Sequence, residues 1–290
     1  MKKIGIIGLG MLGNAVALHL VDSGYEVTAY NRTKGKSEEL EEKGATIVES
    51  PKEVAENSEV VIIIVKDADA VKQVSFENNG IVNGNHEKLI VADMSTIDPS
   101  ESKNISKQFI DSGIIKLDIP VMGGPNVAII GDLVLMASGN KQSFDNCKEV
   151  FDTIASKVFF LGESGVANSI KLAMNLQITM LAMALSEGIM LVKKSNVDPK
   201  IFLKILNSTY FKTGMSEKKA YKMIEGKYET TFTLSNLKKD ITTMTNAAKS
   251  LGVELPMISK AEEVYENAIK DGFGDIDYTG IIEYLKKINE

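Results

Sequence analysis

The stretch KIGIIGLGMLGNAVALHL, residues Lys3–Leu20, decides the fold. A β-branched run, 3–8, leads into Gly8-Leu9-Gly10-Met11-Leu12-Gly13, and a helix-like pattern follows. A lone GxGxxG is a weak signal, but strand–turn–helix is the context it requires. The first glycine permits a tight turn, the second lets the backbone approach a pyrophosphate, and the third lets helix and strand pack closely. The helix N-terminus then offers free N–H groups to the anion. The stretch predicts a dinucleotide-binding βα unit. It also mimics a secretory signal, with Met1-Lys2-Lys3 and Ala15-Val16-Ala17. Four glycines interrupt that apolar run, so the strand–turn–helix reading is preferred.

Further β-branched runs follow at 26–30, 59–65, 88–94, 114–119, 133–138 and 157–162. Helix-like patterns such as 36–44 lie between them. Strands alternating with helices imply a parallel sheet covered on both faces. From about 165 onward no convincing strand is legible, and periodic segments predict helices at 166–194, 199–208, 234–251, 257–271 and 279–289. Pro199 and Pro256 fall near helix starts, where a missing N–H costs least. The expected architecture is therefore an α/β Rossmann-type domain, 1–163, and an all-α domain, 164–290. A helix over 166–194 would run roughly 40 Å at about 1.5 Å per residue and join the two as a spine.

The bulk numbers narrow the classes. The net charge is -6 at pH 7, which argues against a nucleic-acid binder. Cys147 is the only cysteine, so no internal disulfide forms, and one thiol fits a reducing cytosol. A cytoplasmic location is expected. The 172–192 run has the length of a membrane span but contains Asn175, Gln177, Thr179, Ser186 and Glu187. Such a load is costly in lipid, so a buried helix is expected and no membrane partner.

The second strand ends at Tyr30 and meets Asn31-Arg32-Thr33. An acid that would hold a ribose 2′-OH is missing, and an arginine stands there instead. A guanidinium grips a 2′-phosphate by forked, charge-assisted bonds, with Thr33 and Lys36 as further donors. NADP is favoured over NAD on this ground; the alternative is that Arg32 is only a solvated charge.

Proton handling points elsewhere. His19 lies in the helix after the glycine loop, His86 in a polar loop, and the second half has no histidine. A CxxC or HxxxH metal set is absent, and no metal is expected. A lysine is the strongest remaining candidate. In GESGVANSIKLAMNL, 162–176, Asn168, Lys171 and Asn175 share one helix face within an apolar run. Spacing alone leaves two readings open. Lys171 is either a snorkelling side chain or a partnered, buried amine held for chemistry.

Several motifs in order resemble the β-hydroxyacid dehydrogenase family, which includes 3-hydroxyisobutyrate dehydrogenase and the larger 6-phosphogluconate dehydrogenases. The resemblance covers nearly the whole chain. GLGMLG, 8–13, resembles its cofactor loop. Asp93-Met94-Ser95-Thr96-Ile97-Asp98-Pro99 resembles the loop whose threonine, here Thr96, approaches the nicotinamide and substrate. Asp118-Ile119-Pro120-Val121-Met122-Gly123-Gly124 resembles the substrate loop. Gly162, Gly165, Lys171 and Asn175 match the catalytic signature. The 232–240 segment resembles a helix start whose Lys239 faces the cofactor, with Phe232 beside it. Gly272-Phe273-Gly274-Asp275-Ile276-Asp277-Tyr278 matches a C-terminal motif. Val65 and Lys66, at the end of the 59–65 run, join the expected cofactor contacts.

The resemblance implies hydride exchange between NADP(H) and a short 3-hydroxy acid or the matching semialdehyde. Lys171 is then the general base in oxidation and the general acid in reduction, Asn175 orients the substrate oxygen, and the N–H groups of Gly123 and Gly124 receive the carboxylate. A homodimer or homotetramer is also implied. The substrate loop departs from the family's Ser-Gly-Gly: Met122 stands for the serine, which leaves the exact substrate open. Ala167 and Met174 are further departures, expected to alter packing. Two alternatives stand beside this reading. One is an imine reductase on the same scaffold, although imine reducers of this type often replace the lysine. The other is a catalytically silent cofactor-binding scaffold.

Overall fold

The structure is a computed structural model describing residues 1–33, 35 and 37–289. Its first half alternates as the sequence pattern demands: β1 (Lys3–Ile7), α1 (Met11–Asp22), β2 (Glu26–Tyr30), α2 (Glu38–Glu42), β3 (Thr46–Ile47), α3 (Pro51–Glu56), β4 (Val60–Ile63), α4 (Ala68–Phe76), β5 (Ile90–Asp93), α5 (Pro99–Asp111) and β6 (Ile115–Asp118). These six strands form one parallel sheet in the order β3-β2-β1-β4-β5-β6. Strand side chains alternate between faces. Ile4, Ile6, Val60, Ile62, Ile90 and Ala92 therefore enter one core with α1. Ile7, Val61, Ile63 and Val91 enter the opposite core with Val54 of α3 and Phe109 of α5. Burial on both faces explains why these strands read as unbroken apolar runs.

The chain then adds β7 (Val121–Met122), α6 (Pro125–Ala128), β8 (Leu133–Ala137), α7 (Lys141–Ile154) and β9 (Ala155–Phe160). The 133–138 and 157–162 runs do not extend the parallel sheet. They form a second, three-stranded sheet, β7-β8-β9, in which β7 and β8 are antiparallel. Only Ile119 and Pro120 separate β6 from β7. A parallel crossover needs about a dozen residues, so β7 cannot pair parallel to β6.

Packing divides the chain into two units, Met1–Lys171 and Leu172–Glu290. The expected domain boundary at 163/164 lies just ahead of the long helix α8 (Val166–Lys194). The first turns of α8 pack with the loops before it and so fall in the first unit. The second unit adds α9 (Pro199–Leu206), α10 (Gly214–Lys218), α11 (Ala220–Glu225), α12 (Leu234–Ser250), α13 (Pro256–Lys270) and α14 (Ile281–Lys287). Its core gathers Leu172, Ala182 and Met183 of α8 with Leu237, Ile241, Met244, Ile258 and Tyr265. No strand occurs among its described residues.

α8 has the length and composition of a membrane span. Asn168, Leu172, Asn175, Thr179, Ala182, Ser186 and Ile189 form its buried stripe, at alternating spacings of four and three. Thr179 and Ser186 satisfy their hydroxyls on their own helix, donating to the carbonyls of Asn175 and Ala182. Ala167 is fully buried, whereas Met174 is 40% exposed. Cys147 is buried, and burial raises its thiol pKa to about 12.

Candidate active site

The glycine loop is built by close approach. Gly8 has φ +103°, and a Cβ on it would lie 2.2 Å from the Ile64 carbonyl oxygen. A Cβ on Gly13 would lie 1.9 Å from the Gly8 carbonyl oxygen. Both positions are glycine for the protein's own packing. Gly10 is different: a Cβ there meets nothing within 4 Å. Gly10 is also the N-cap of α1 and supplies no side-chain cap. The first-turn N–H groups of α1 thus face open space, with partial positive charge. Room without need for it, next to uncapped donors, fits a diphosphate.

The other predicted cofactor residues divide by role. The Leu9 side chain is buried in the core, and its N–H donates to Asn31 Oδ1 at 3.0 Å. Asn31 Nδ2 donates to the Thr33 carbonyl at 2.8 Å. Asn31 Oδ1 thus ties the end of β2 to the glycine loop, and Nδ2 closes a local turn onto Thr33. Met11 and Arg32 are exposed, as are Thr33 and Lys66, while Leu12 is half-buried. Lys36 lies outside the described residues. Arg32 lines a cavity of about 380 Å³ with Tyr30, Pro51, Gln73, Val74 and Asn79. The Val65 N–H donates to Ser95 Oγ at 3.1 Å, which ties the end of β4 to the loop carrying half-buried Thr96.

His19 has a structural role. Its Nδ1 and Nε2 face the carbonyls of Ile129 and Thr153 at 3.1 and 3.0 Å, linking α1 to the ends of α6 and α7.

Lys171 is part-buried on α8, and its Nζ lies 3.4 Å from Met122 Sδ. Met122 ends β7 and leads into Gly123, whose φ is +128°. A Cβ on Gly123 would press on Val127 and Leu133 at 2.6 and 2.7 Å, so a turn of this shape demands glycine. Gly124 then N-caps α6. The first unit thereby brings Lys171 to the Met122-Gly123-Gly124 loop. Asn168, one turn earlier, is 1% exposed and accepts the Ile97 N–H at 3.4 Å, while its Nδ2 is buried with no hydrogen-bond partner.

In the second unit Asn175 is 1% exposed and donates through Nδ2 to Asp240 Oδ2 at 2.6 Å. Its Oδ1 is buried without a hydrogen-bond partner. Lys239 Nζ pairs with Asp240 Oδ1 at 2.5 Å. Phe232 stacks edge-on with Tyr278, ring centroids 6.1 Å apart. Asp240 had no role assigned from sequence. A signal existed, because Asp240 falls on the apolar stripe of α12 beside Leu237, Ile241 and Met244, where an acid requires a partner.

Residues 3–162 match the family described as the NAD binding domain of 6-phosphogluconate dehydrogenase. Residues 165–285 match the family described as the NAD-binding of NADP-dependent 3-hydroxyisobutyrate dehydrogenase. The oxidoreductase YfjR of Bacillus subtilis (strain 168) is 32% identical over 98% of this chain and 100% of its own length. Glyoxylate/succinic semialdehyde reductase 1 of Arabidopsis thaliana is 31% identical, covering 98% of each chain. A crystal structure of 3-hydroxyisobutyrate dehydrogenase from Salmonella typhimurium has the same fold, with TM-score 0.88 and 24% identity over 98% of this chain and 99% of that one. With the glycine loop, the Lys171 loop and both halves of the chain accounted for, the protein belongs to the β-hydroxyacid dehydrogenase family and is an NAD(P)-linked oxidoreductase.

Proposed function

We propose that the protein uses NADPH to interconvert a semialdehyde, or a related carbonyl acid, with the matching short 3-hydroxy acid, and that Lys171 moves the proton. The observation carrying this reading is the part-buried Lys171 amine at the Met122-Gly123-Gly124 loop. The nicotinamide, when bound, supplies hydride to the carbonyl carbon or accepts it from the carbinol.

Gly10 and the first turn of α1 hold the diphosphate, and Arg32 takes the 2′-phosphate of the cofactor. Val65, Lys66, Thr96, Phe232 and Lys239 complete the cofactor contacts. The Lys171 ammonium donates its proton to the substrate oxygen as charge develops there; in oxidation the neutral amine takes it back. Reduction starts from the ammonium and oxidation from the neutral amine. A thioether accepts hydrogen bonds weakly, so a carbonyl oxygen competes well for this donor. Asn175 keeps Oδ1 for a hydroxyl donor, since Asp240 takes its Nδ2. The N–H groups of Gly123 and Gly124 receive the carboxylate, and Met122 turns an apolar group toward the rest of the substrate.

A dimer or tetramer of this chain belongs to the same proposal. Leu191, Ile201, Ile205 and Phe211 of the second unit are all more than half exposed, a pattern that favours burial against a further copy.

Lys171→Ala tests the chemistry. Turnover with NADPH and a panel of semialdehydes and ketoacids falls by about 10²-fold or more, while NADPH still binds. Unchanged turnover removes Lys171 from the mechanism. A panel that includes cyclic imines distinguishes carbonyl from imine reduction.

A further inference from the structure

The parallel sheet carries a charge cluster that the proposed mechanism does not use. Lys116 in β6 has no exposed side-chain surface, nor does Asp118, and Asp93 in β5 has 1%. The strand register sets Asp93 directly opposite Asp118. Two buried carboxylates facing each other repel, and a cation between them offsets that repulsion. Lys116 Nζ supplies it, bonding to Asp118 Oδ1, to Ser102 Oγ at 3.0 Å, and standing 3.3 Å from Asp93 Oδ2.

Each carboxylate then reaches a different loop. Asp118 Oδ2 accepts from Ser138 Oγ at 3.0 Å, Ser164 Oγ at 3.0 Å and the Gly165 N–H at 2.6 Å. Ser138 Oγ in turn accepts the Ala167 N–H at 3.2 Å. These bonds grip the start of α8, and Lys171 stands in its second turn. Asp93 Oδ1 accepts the Ser95 N–H at 3.0 Å, and Ser95 Oγ accepts from Val65. The Ile97–Asn168 bond closes the loop back onto α8.

Burial favours the neutral form of each member, yet the Lys116 ammonium holds the Asp118 carboxyl below its ordinary range. Burial alone would also lower Lys116, but Asp118 and Asp93 together raise it. Asp93 is raised, chiefly by burial, because one ammonium does not offset two buried carboxylates.

We propose that Lys116 is a positioning residue: its buried ammonium, bound to Asp118 and Asp93, locks the first turn of α8 to the ends of β5 and β6 and so sets where the Lys171 amine stands. This rests on Lys171 being the acid–base group. Misplacement by about 1 Å costs on the order of 10²-fold in rate. Asp118→Asn keeps one acceptor for Gly165 but cannot also accept from Lys116, Ser138 and Ser164 as the carboxylate does.

The test compares Lys116→Met, Asp118→Asn and, as a control of similar stability loss, Leu203→Ala in the second unit's core. The proposal expects both cluster variants to lower kcat at least about tenfold, with KM for NADPH within about twofold. The double variant should lose no more than the worse single one, as members of one network do. The proposal is overturned if kcat stays within about twofold in both, or if Leu203→Ala lowers kcat equally at the same drop in Tm. If Lys116→Met does not fold, Asp118→Asn alone decides on the same criteria. If the wild-type protein reduces no carbonyl compound, the proposed function fails instead. Hydrogen exchange then still tests the lock without turnover: Gly165–Ala167 amides should exchange at least about tenfold faster in Asp118→Asn, at unchanged exchange in α12, and equal rates refute it.

Discussion

The three glycines of the loop do different work, and substitution by alanine separates them. Gly10 has φ -69° and ψ -177°, a conformation open to alanine, and its new methyl would touch no protein atom. Alanine is a poorer N-cap than glycine, costing about 0.5–1 kcal/mol, while the stiffer unfolded chain returns about 0.4–1 kcal/mol. Gly10→Ala should therefore leave folding stability within about 1 kcal/mol of wild type. Gly13→Ala forces a methyl to 1.9 Å from a backbone oxygen that cannot swing away. Overpacking of this kind costs about 3 kcal/mol or more. The order inverts for the cofactor. The methyl of Gly10→Ala fills the space assigned to the diphosphate, and NADPH affinity should fall at least about tenfold, near 1.4 kcal/mol. Urea unfolding without cofactor gives the first quantity, and fluorescence titration with NADPH the second. Wild-type NADPH affinity in Gly10→Ala would refute the assignment of that space, as would a loss of stability matching Gly13→Ala.

Arg32→Ala should weaken NADPH binding about tenfold or more while NADH binding changes little, because charge-assisted bonds to a phosphate contribute about 1.5–3 kcal/mol. Equal losses for both cofactors, by the same titration, would show that Arg32 does not select the 2′-phosphate. The charge cluster predicts a pH signature. Asp118, held low, contributes stability that is present above the ordinary carboxylate value and lost only as pH falls through its depressed pKa. Lys116, held high, contributes stability that is present below the ordinary lysine value and lost as pH rises through its raised pKa. Between those limits the pair's contribution is constant. Removing the cation in Lys116→Met leaves two buried carboxyls whose pKa values rise, so the variant is stable when they are protonated and loses stability as pH increases. Its Tm deficit against wild type should widen from pH 5 to pH 8, and a constant deficit would contradict the assigned pairing.

Legibility followed the length and regularity of each element. The Rossmann-type half was readable because its strands are buried on both faces and its helices intervene at regular intervals. α8 was readable to the residue, since a 29-residue apolar run bounded by Gly165 and Ser195 leaves little freedom. The two-residue strands β3 and β7 were not, because two residues have no period. α10 and α11 are five and six residues long and carry no repeating stripe. The second sheet depends on the chain reversing at Ile119-Pro120, which is a matter of connection length and not of the strands' composition.

The Lys116 cluster shows most plainly where sequence reading stops. In IIKLDI, Lys116 and Asp118 are two apart in a strand and therefore project to the same side. That much was visible, and a lysine–aspartate pair at this spacing is ordinarily a solvated edge. What turns it into a buried lock is Asp93, 25 positions before Asp118 and brought opposite it only by the register of β5 on β6. Motif order could locate Lys171, because the glycines and asparagines around it are neighbours in the chain. The groups that hold its helix come from β5, α5, β6, the turn after β8 and the loop after β9, and they become neighbours only when the sheet forms. Chemistry carried by adjacent residues is thus legible before folding, whereas the support that aims it is a product of strand order. The cation at the centre of that support stands between two opposed carboxylates, and its burial with them is what lets it hold both beneath the same helix.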